Sequence, residues 1–141
     1  MLKARSRRST NVPVTCATFS PAADYVAAGA QDGSIQIFSL RKSSWIKPDI
    51  LMRPGHEAES HVTAVAFAPD GKTLASRGTD NTVKLWDIRK AKEPFKVLPD
   101  VATYFDSANV AFSPDGKLLC CGTNVMRHEG KWMMMFSFDS F

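Results

Sequence analysis

An all-β fold built from repeated four-stranded units is what this sequence predicts, on three observations. The segment Asp32-Gly33-Ser34-Ile35-Gln36-Ile37-Phe38-Ser39 returns 48 residues later as Asp80-Asn81-Thr82-Val83-Lys84-Leu85-Trp86-Asp87. At the same offset, Val14-Thr15-Cys16-Ala17-Thr18-Phe19-Ser20-Pro21 returns as Val62-Thr63-Ala64-Val65-Ala66-Phe67-Ala68-Pro69, and a third copy, Val110-Ala111-Phe112-Ser113-Pro114-Asp115-Gly116, follows 45 residues on. Within each copy, short apolar or alternating runs are separated by turn residues, and no helix-period segment of useful length appears. A period in this range marks a repeat architecture, whose units pack on one another and bind partners on the faces they present.

The elements follow in order. The first copy, residues 14–52, opens with a strand at 14–19 and ends in an outer strand at 49–52. In the second copy, residues 55–98, Val62, Ala64 and Ala66 alternate with Thr63, Val65 and Phe67. Both faces of that strand are apolar, so burial on both is expected. Pro69-Asp70-Gly71 makes the next turn, with glycine free to take positive φ. A strand at 73–76, a turn at 78–81 and a polar–apolar alternation at 82–86 follow. A fourth strand at 95–98 begins after Pro94, which an edge strand tolerates. The third copy, residues 108–138, gives strands at 109–113, 118–122 and 131–138, with a polar insertion at 124–130. Trp132-Met133-Met134-Met135-Phe136 reads first as a core strand and second as an adaptable Met-rich surface. Thr123 to Gly130 reads as a longer loop, the kind that binds partners on a rigid scaffold.

Composition narrows the class. The chain has 141 residues, 44% of them hydrophobic, enough for one core. No apolar run of about 18 residues is present, so no membrane span is expected. The net charge of +4 is carried by Lys3, Arg5, Arg7 and Arg8, with no acid before Asp24. Residues 1–13 therefore read as a basic flexible arm. A nucleic-acid or nuclear-import contact competes with that reading, and an organelle transit peptide is third. Strand-like sequence from Val14 leaves little room for a removable presequence, and the apolar stretch of a secretory signal is missing. Cys16, Cys120 and Cys121 are odd in number and lie in apolar strand patterns, so buried free thiols in a reducing compartment are expected. No second cluster offers zinc spacing, and His61 and His128 read as surface residues. No phosphate-cradling glycine loop or paired-carboxylate site appears, and no cofactor is expected.

The markers Gly55-His56, Asp80 six residues before Trp86, and Trp86-Asp87 closing a third strand resemble the WD-repeat family of β-propellers. The resemblance runs from Val14 to about Phe138. It implies about three consecutive four-stranded blades, the last incomplete, that do not close a ring. It also implies that His56, Ser76, Asp80 and Trp86 form the family's hydrogen-bonded tetrad. Asp80 would fix the His56 tautomer, His56 would meet the Ser76 hydroxyl, and Ser76 would accept the Trp86 indole N–H. The same Ser, His and Asp could be taken for a hydrolase triad, but the Trp and the spacing explain them structurally. The other copies depart: Phe38 and Ala28 stand at the Trp and Ser positions, no Gly-His precedes Val14, and Cys121 falls on the third Ser position.

The segments 27–37, 74–78, 85–89 and 120–131 resemble a narrower group within that family. That group implies a nuclear, non-enzymatic scaffold linked to cullin-4 ubiquitin ligases, the DNA-damage response and splicing assemblies. Leu85-Trp86-Asp87-Ile88-Arg89 resembles the WD-x-Arg box by which WD proteins dock the adaptor of those ligases. Leu74, Ala75, Ser76, Gly78, Asp80 and Val83 fit the pattern around it, and Arg77 departs. The competing reading of the box is a fold feature followed by a chance arginine. Arg77 stands where the other copies have Gly29 and Gly122, either as a cation facing a partner or as a solvated charge at a strand end. The expected function is non-enzymatic protein–protein interaction in the nucleus, with the cytoplasm as alternative. A second reading is a nucleic-acid- or spliceosome-associated module using the basic arm. A third is a truncated fragment without independent function. Propellers close with about four to eight blades, so three would need missing blades or self-association.

Overall fold

The computed structural model describes residues 4–5, 11–42, 47–101, 109–122 and 136–137. The expected loop at 123–130 with His128, the Met-rich segment 132–135, and Lys3, Arg7 and Arg8 lie outside the described residues.

Three antiparallel sheets stand side by side. Blade one is β3 (Val14–Phe19), β4 (Tyr25–Ala30), β5 (Ile35–Ser39) and β6 (Ile50–Met52), in that order. Blade two repeats it with β7 (Val62–Phe67), β8 (Thr73–Gly78), β9 (Val83–Asp87) and β10 (Lys96–Leu98). Blade three has β11 (Val110–Phe112), β12 (Leu118–Cys121) and β13 (Phe136–Ser137). The innermost strand β7 packs beside both β3 and β11, and no ring closes among the described residues.

The 48-residue period survives as matched geometry. Phe19 pairs with Val26 as Phe67 pairs with Leu74. A register shift falls between Val14 and Cys16 and again between Val62 and Ala64, which is how a bulge re-aims a strand. The displaced hydroxyls then act alike: Thr15 donates to the Gly29 carbonyl at 3.1 Å and Thr63 to the Arg77 carbonyl at 3.3 Å.

Apolar residues meet between the blades. Ala27, Ile35, Ile37 and Met52 of blade one pack with Val65, Phe67, Leu74 and Trp86 of blade two. Ala75, Val83 and Leu85 on its other face pack with Val110, Leu119 and Cys121 of blade three. The middle sheet is thus buried on both faces, as its two apolar faces predict. The outer blades are not. Phe19 is 67% exposed, whereas its counterpart Phe67 is buried. Cys120 is also exposed, against the expectation of three buried thiols; Cys16 is half-buried and Cys121 buried. The reason is strand alternation: the Cys121 side faces blade two, and Cys120 points to a face that no described residue covers.

The strands define two ends. At the lower end lie the hairpins after β3, β7 and β11 and the connection from β9 to β10, since Thr73 sits opposite Asp87 and Phe67 opposite Leu74. At the upper end lie the β4–β5 and β8–β9 turns and the segment from β6 to β7. β1 (Ala4–Arg5) pairs with β2 (Asn11–Val12), Ala4 opposite Val12 and Arg5 opposite Asn11. The stretch expected as a flexible arm therefore contains a paired stem, tied to blade one where Gln31 N donates to the Pro13 carbonyl at 3.0 Å.

Candidate functional site

Blade two brings four sequence-predicted residues onto one line. Ser76 and Trp86 come from adjacent strands, Asp80 from the turn between them, and His56 from the segment that leads in from blade one. The His56 ring lies flat on Gly78: a Cβ there would fall 2.3 Å from Nδ1. Asn81, at φ 59°, turns the chain tightly so that Asp80 can accept from Thr82 N at 3.1 Å and the Thr82 hydroxyl at 2.8 Å.

The proton order follows from chemistry. An indole N–H can only donate, so Trp86 Nε1 gives its proton to Ser76 Oγ at 2.9 Å. The Ser76 hydroxyl then donates to His56 Nε2 at 2.8 Å. That nitrogen is unprotonated, and Nδ1–H faces both Asp80 oxygens at 2.9 Å. The His56 and Asp80 side chains have no exposed surface. Burial works against the Asp80 charge, yet the His56 hydrogen bond, Glu57 N–H and the Thr82 hydroxyl hold its carboxyl well below the usual carboxylate range. Lys84, which the sequence reading did not single out, donates from Nζ to the Gly55 carbonyl at 2.9 Å and lies 4.0 Å from Asp80. Its place four residues after Asp80 was the available signal. Ser76 is fully buried with its proton committed, so no substrate reaches its oxygen from solvent. This Ser-His-Asp set is a structural brace.

Trp86 also leads into the second predicted group. Asp87 ends β9 and caps the single 3-10 turn Ile88–Lys90 through Arg89 N at 2.9 Å. The Arg89 guanidinium then grips the same carboxylate with two bonds, Nε to Oδ1 at 2.9 Å and Nη2 to Oδ2 at 2.7 Å. Through these bonds Arg89 holds the Asp87 pKa at about 2. Arg89 is exposed at the lower end, in the turn that follows β9 and three residues past Trp86.

Arg77 is not a surface cation. Its residue exposure is 0%. The guanidinium crosses to blade three, where Nη1 donates to the Gly122 carbonyl and reaches the Asn109 carbonyl at 3.5 Å. The reading of Arg77 as a partner-facing residue is corrected: its donors are spent on the seam between blades, and burial lowers its pKa. Of the arm's four basic residues only Arg5 is described, and of it only the backbone. His61 is half-buried, its N–H bonded to the Thr79 hydroxyl at 2.9 Å. Among the described residues no three His, Cys, Asp or Glu side chains group to hold a metal, and no helix is long and apolar enough to cross a membrane.

Comparison with known proteins gives this geometry a family. The model for "WD domain, G-beta repeat" matches residues 5–39 and 49–87, more than half of the chain. WD repeat-containing protein 70 of Xenopus tropicalis is 42% identical over 136 residues, which is 96% of this chain and 22% of that protein. The gastrulation defective protein 1 homolog of Drosophila melanogaster is 30% identical over the same share of the chain and 21% of its own length. The COMPASS component SWD1 of Saccharomyces cerevisiae is 30% identical over 88% of the chain and 28% of its own length. The chain thus spans about a fifth to a quarter of the curated relatives it matches. The solved β-propeller domain of Myceliophteria thermophila Cps50 (Swd1) superposes with a TM-score of 0.64 at 19% identity, over 79% of this chain and 33% of that one. With two matched repeats, a complete Asp–His–Ser–Trp line and blades of the same order, the chain belongs to the WD-repeat family of β-propellers.

Proposed function

We propose that the chain is part of a non-enzymatic protein-interaction scaffold, and that it serves as a substrate receptor of a nuclear cullin-4 ubiquitin ligase in the DNA-damage response. The observation that carries this is Arg89. It is exposed, follows Trp86-Asp87 with one residue between, and is fixed by two bonds to Asp87, with no hydrogen bond from Nη1 among the described residues. A guanidinium already held in place loses little freedom when a partner carboxylate binds it, and its fork suits a carboxylate. The similarity to WD repeat-containing protein 70 over nearly the whole chain supports the assignment. The test is capture of the ligase adaptor by the intact protein carrying Arg89→Ala. Loss of capture with unchanged melting supports the site, and unchanged capture removes it.

A second reading, a nucleic-acid-associated or spliceosome-associated nuclear module, rests on Lys3, Arg5, Arg7 and Arg8, which precede the first acid at Asp24. That reading expects nucleic-acid binding with a steep salt dependence that disappears when residues 1–12 are deleted. In either case the exposed faces of blades one and three, with Phe19 and Cys120, are surfaces for further blades or a second copy.

A further inference from the structure

At the lower end, the turns after β7 and β11 nest on one another: a Cβ on Gly116 would fall 3.5 Å from Pro69 Cδ. The turns of blades one and two nest in the same way, with a Cβ on Gly71 falling 3.9 Å from Pro21 Cδ. Between blades two and three the seam opens into a cleft of about 250 Å3. Its walls are Pro69, Asp70 and Thr73 of blade two and Asp115, Gly116 and Lys117 of blade three. A difference between the copies leaves the room. Along the 48-residue period Thr73 stands where blade one has Tyr25, whose ring packs against the core between blades one and two. The same period puts Asp70 where blade one has Ala22.

Each carboxylate of the cleft has one oxygen filled and one with room. Asp70 Oδ1 accepts from Lys72 N and Thr73 N, both at 2.8 Å, and Oδ2 accepts the Thr73 hydroxyl at 2.8 Å. Asp115 Oδ1 accepts from the Ser113 hydroxyl at 2.6 Å and from Lys117 N at 3.1 Å. Asp115 Oδ2 accepts no hydrogen bond, and neither carboxylate is in an ion pair, among the described residues. Burial opposes the Asp70 charge, yet the Thr73 and Lys72 N–H groups hold its carboxyl below the usual range, and the Ser113 hydroxyl does the same for Asp115. The cleft therefore carries two negative charges against one cation, Lys117, which is exposed and itself in no ion pair among the described residues.

The geometry selects among cations. With Oδ1 of each carboxylate already taking two bonds, neither can meet a guanidinium fork with both oxygens. A compact ammonium with three rotatable donors needs only one oxygen from each. We propose that this cleft seats a lysine side chain of a partner protein, its stem along Pro69 and Gly116 and its ammonium between Oδ2 of Asp70 and Oδ2 of Asp115. A lysine stem packs on apolar surface while its charged head stays at the opening. The inference goes beyond the adaptor-docking reading and uses none of its residues.

The experiment is saturation-transfer NMR on the intact protein with the end-blocked peptide Ala-Ala-Lys-Ala-Ala, compared with versions carrying Arg or norleucine in place of Lys. The expected result is saturation of the lysine methylenes. Asp115→Asn keeps an oxygen for the turn and should raise the dissociation constant about 5-fold, while Lys117→Met removes the competing cation and should lower it. Thr73→Tyr refills the seam as in blade one and should abolish the saturation with melting unchanged. If Thr73→Tyr melts early, the other two variants decide. Equal affinity in Asp115→Asn and the parent overturns the proposal, and so does an Arg or norleucine peptide that binds as tightly as the Lys peptide.

Discussion

Blades one and two share strand order, register and bulge, yet they are held by different chemistry. Blade two threads a polar line from Trp86 through Ser76 and His56 to Asp80. Among the described residues, blade one keeps only the end of that line. Asp32 still accepts from Ser34 N at 3.1 Å and the Ser34 hydroxyl at 2.5 Å, as Asp80 does from Thr82. Its other partner is Arg53 at the surface, and Ala28 and Phe38 stand at the Ser and Trp places with no polar side-chain atom. The lesson is that the Asp turn builds the hairpin, while the rest of the line ties the preceding connection to the sheet. In blade one the lead-in is tied instead by Gln31 N donating to the Pro13 carbonyl at 3.0 Å.

The sharpest way to break the comparison is His56→Ala. It strands a buried carboxylate and leaves the Ser76 proton without its acceptor. Removing one partner of such a buried pair costs about 3 kcal/mol, so a large drop in melting temperature of the intact protein is expected. An equal melting temperature would remove the brace from the account. The seam to blade three comes next. Arg77→Ala uncovers the Gly122 and Asn109 carbonyls and opens a void, for about 2 kcal/mol. Hydrogen exchange should accelerate in β11 and β12 more than in β4 and β5. Arg77→Met keeps most of the volume, and a Met variant as stable as the parent would mean the guanidinium sets alignment rather than stability.

Trp86→Phe makes blade two resemble blade one. It removes one buried donor and leaves Ser76 its bond to His56, a loss of about 1 kcal/mol. The reverse change, Phe38→Trp, should bring no gain, because Ala28 offers no acceptor. The fully buried carboxylate that feeds the acid limb of stability is also in blade two. Asp80 titrates lower in the folded than in the unfolded chain, so its contribution is complete above the unfolded carboxylate value of about 4. It is lost as pH falls below that toward the folded value. Asp80→Asn should flatten this limb of a pH–melting curve, and an unchanged slope would assign it to other carboxylates.

The four residues of the brace were expected from the resemblance of Gly55-His56, Asp80 and Trp86-Asp87 to the WD-repeat markers, and their bonds are those of the structure. Other features depend on what strands place beside one another. Arg77 reads as a surface charge until the carbonyls of Asn109 and Gly122 arrive from 32 and 45 residues away. Cys120 and Cys121 are adjacent, and only blade packing decides which is buried.

The smallest effect tests the hairpins themselves. The turn after β7 places Gly71 at φ 66°, and the turn after β11 places Gly116 at φ 73°. Blade one puts Ala23 there, at φ 53°, closing the same bond with Ala23 N donating to the Ser20 carbonyl at 2.9 Å. A Cβ in the left-handed region costs about 1 kcal/mol, and glycine removes that cost while giving the unfolded chain more freedom to lose. Anchoring explains how blade one tolerates the strain: Ser20 Oγ accepts from Asp24 N and Tyr25 N at 3.1 and 3.0 Å, the work done in blade two by the Asp70 carboxylate on Lys72 N and Thr73 N. Ala23→Gly should therefore raise stability by only about 0.5 kcal/mol. If Ser20→Ala is made first, the gain from Ala23→Gly should grow, because the hydroxyl no longer holds the turn closed. A thermal-melting double-mutant cycle with no coupling between the two sites would show that Ser20 and the backbone strain act independently.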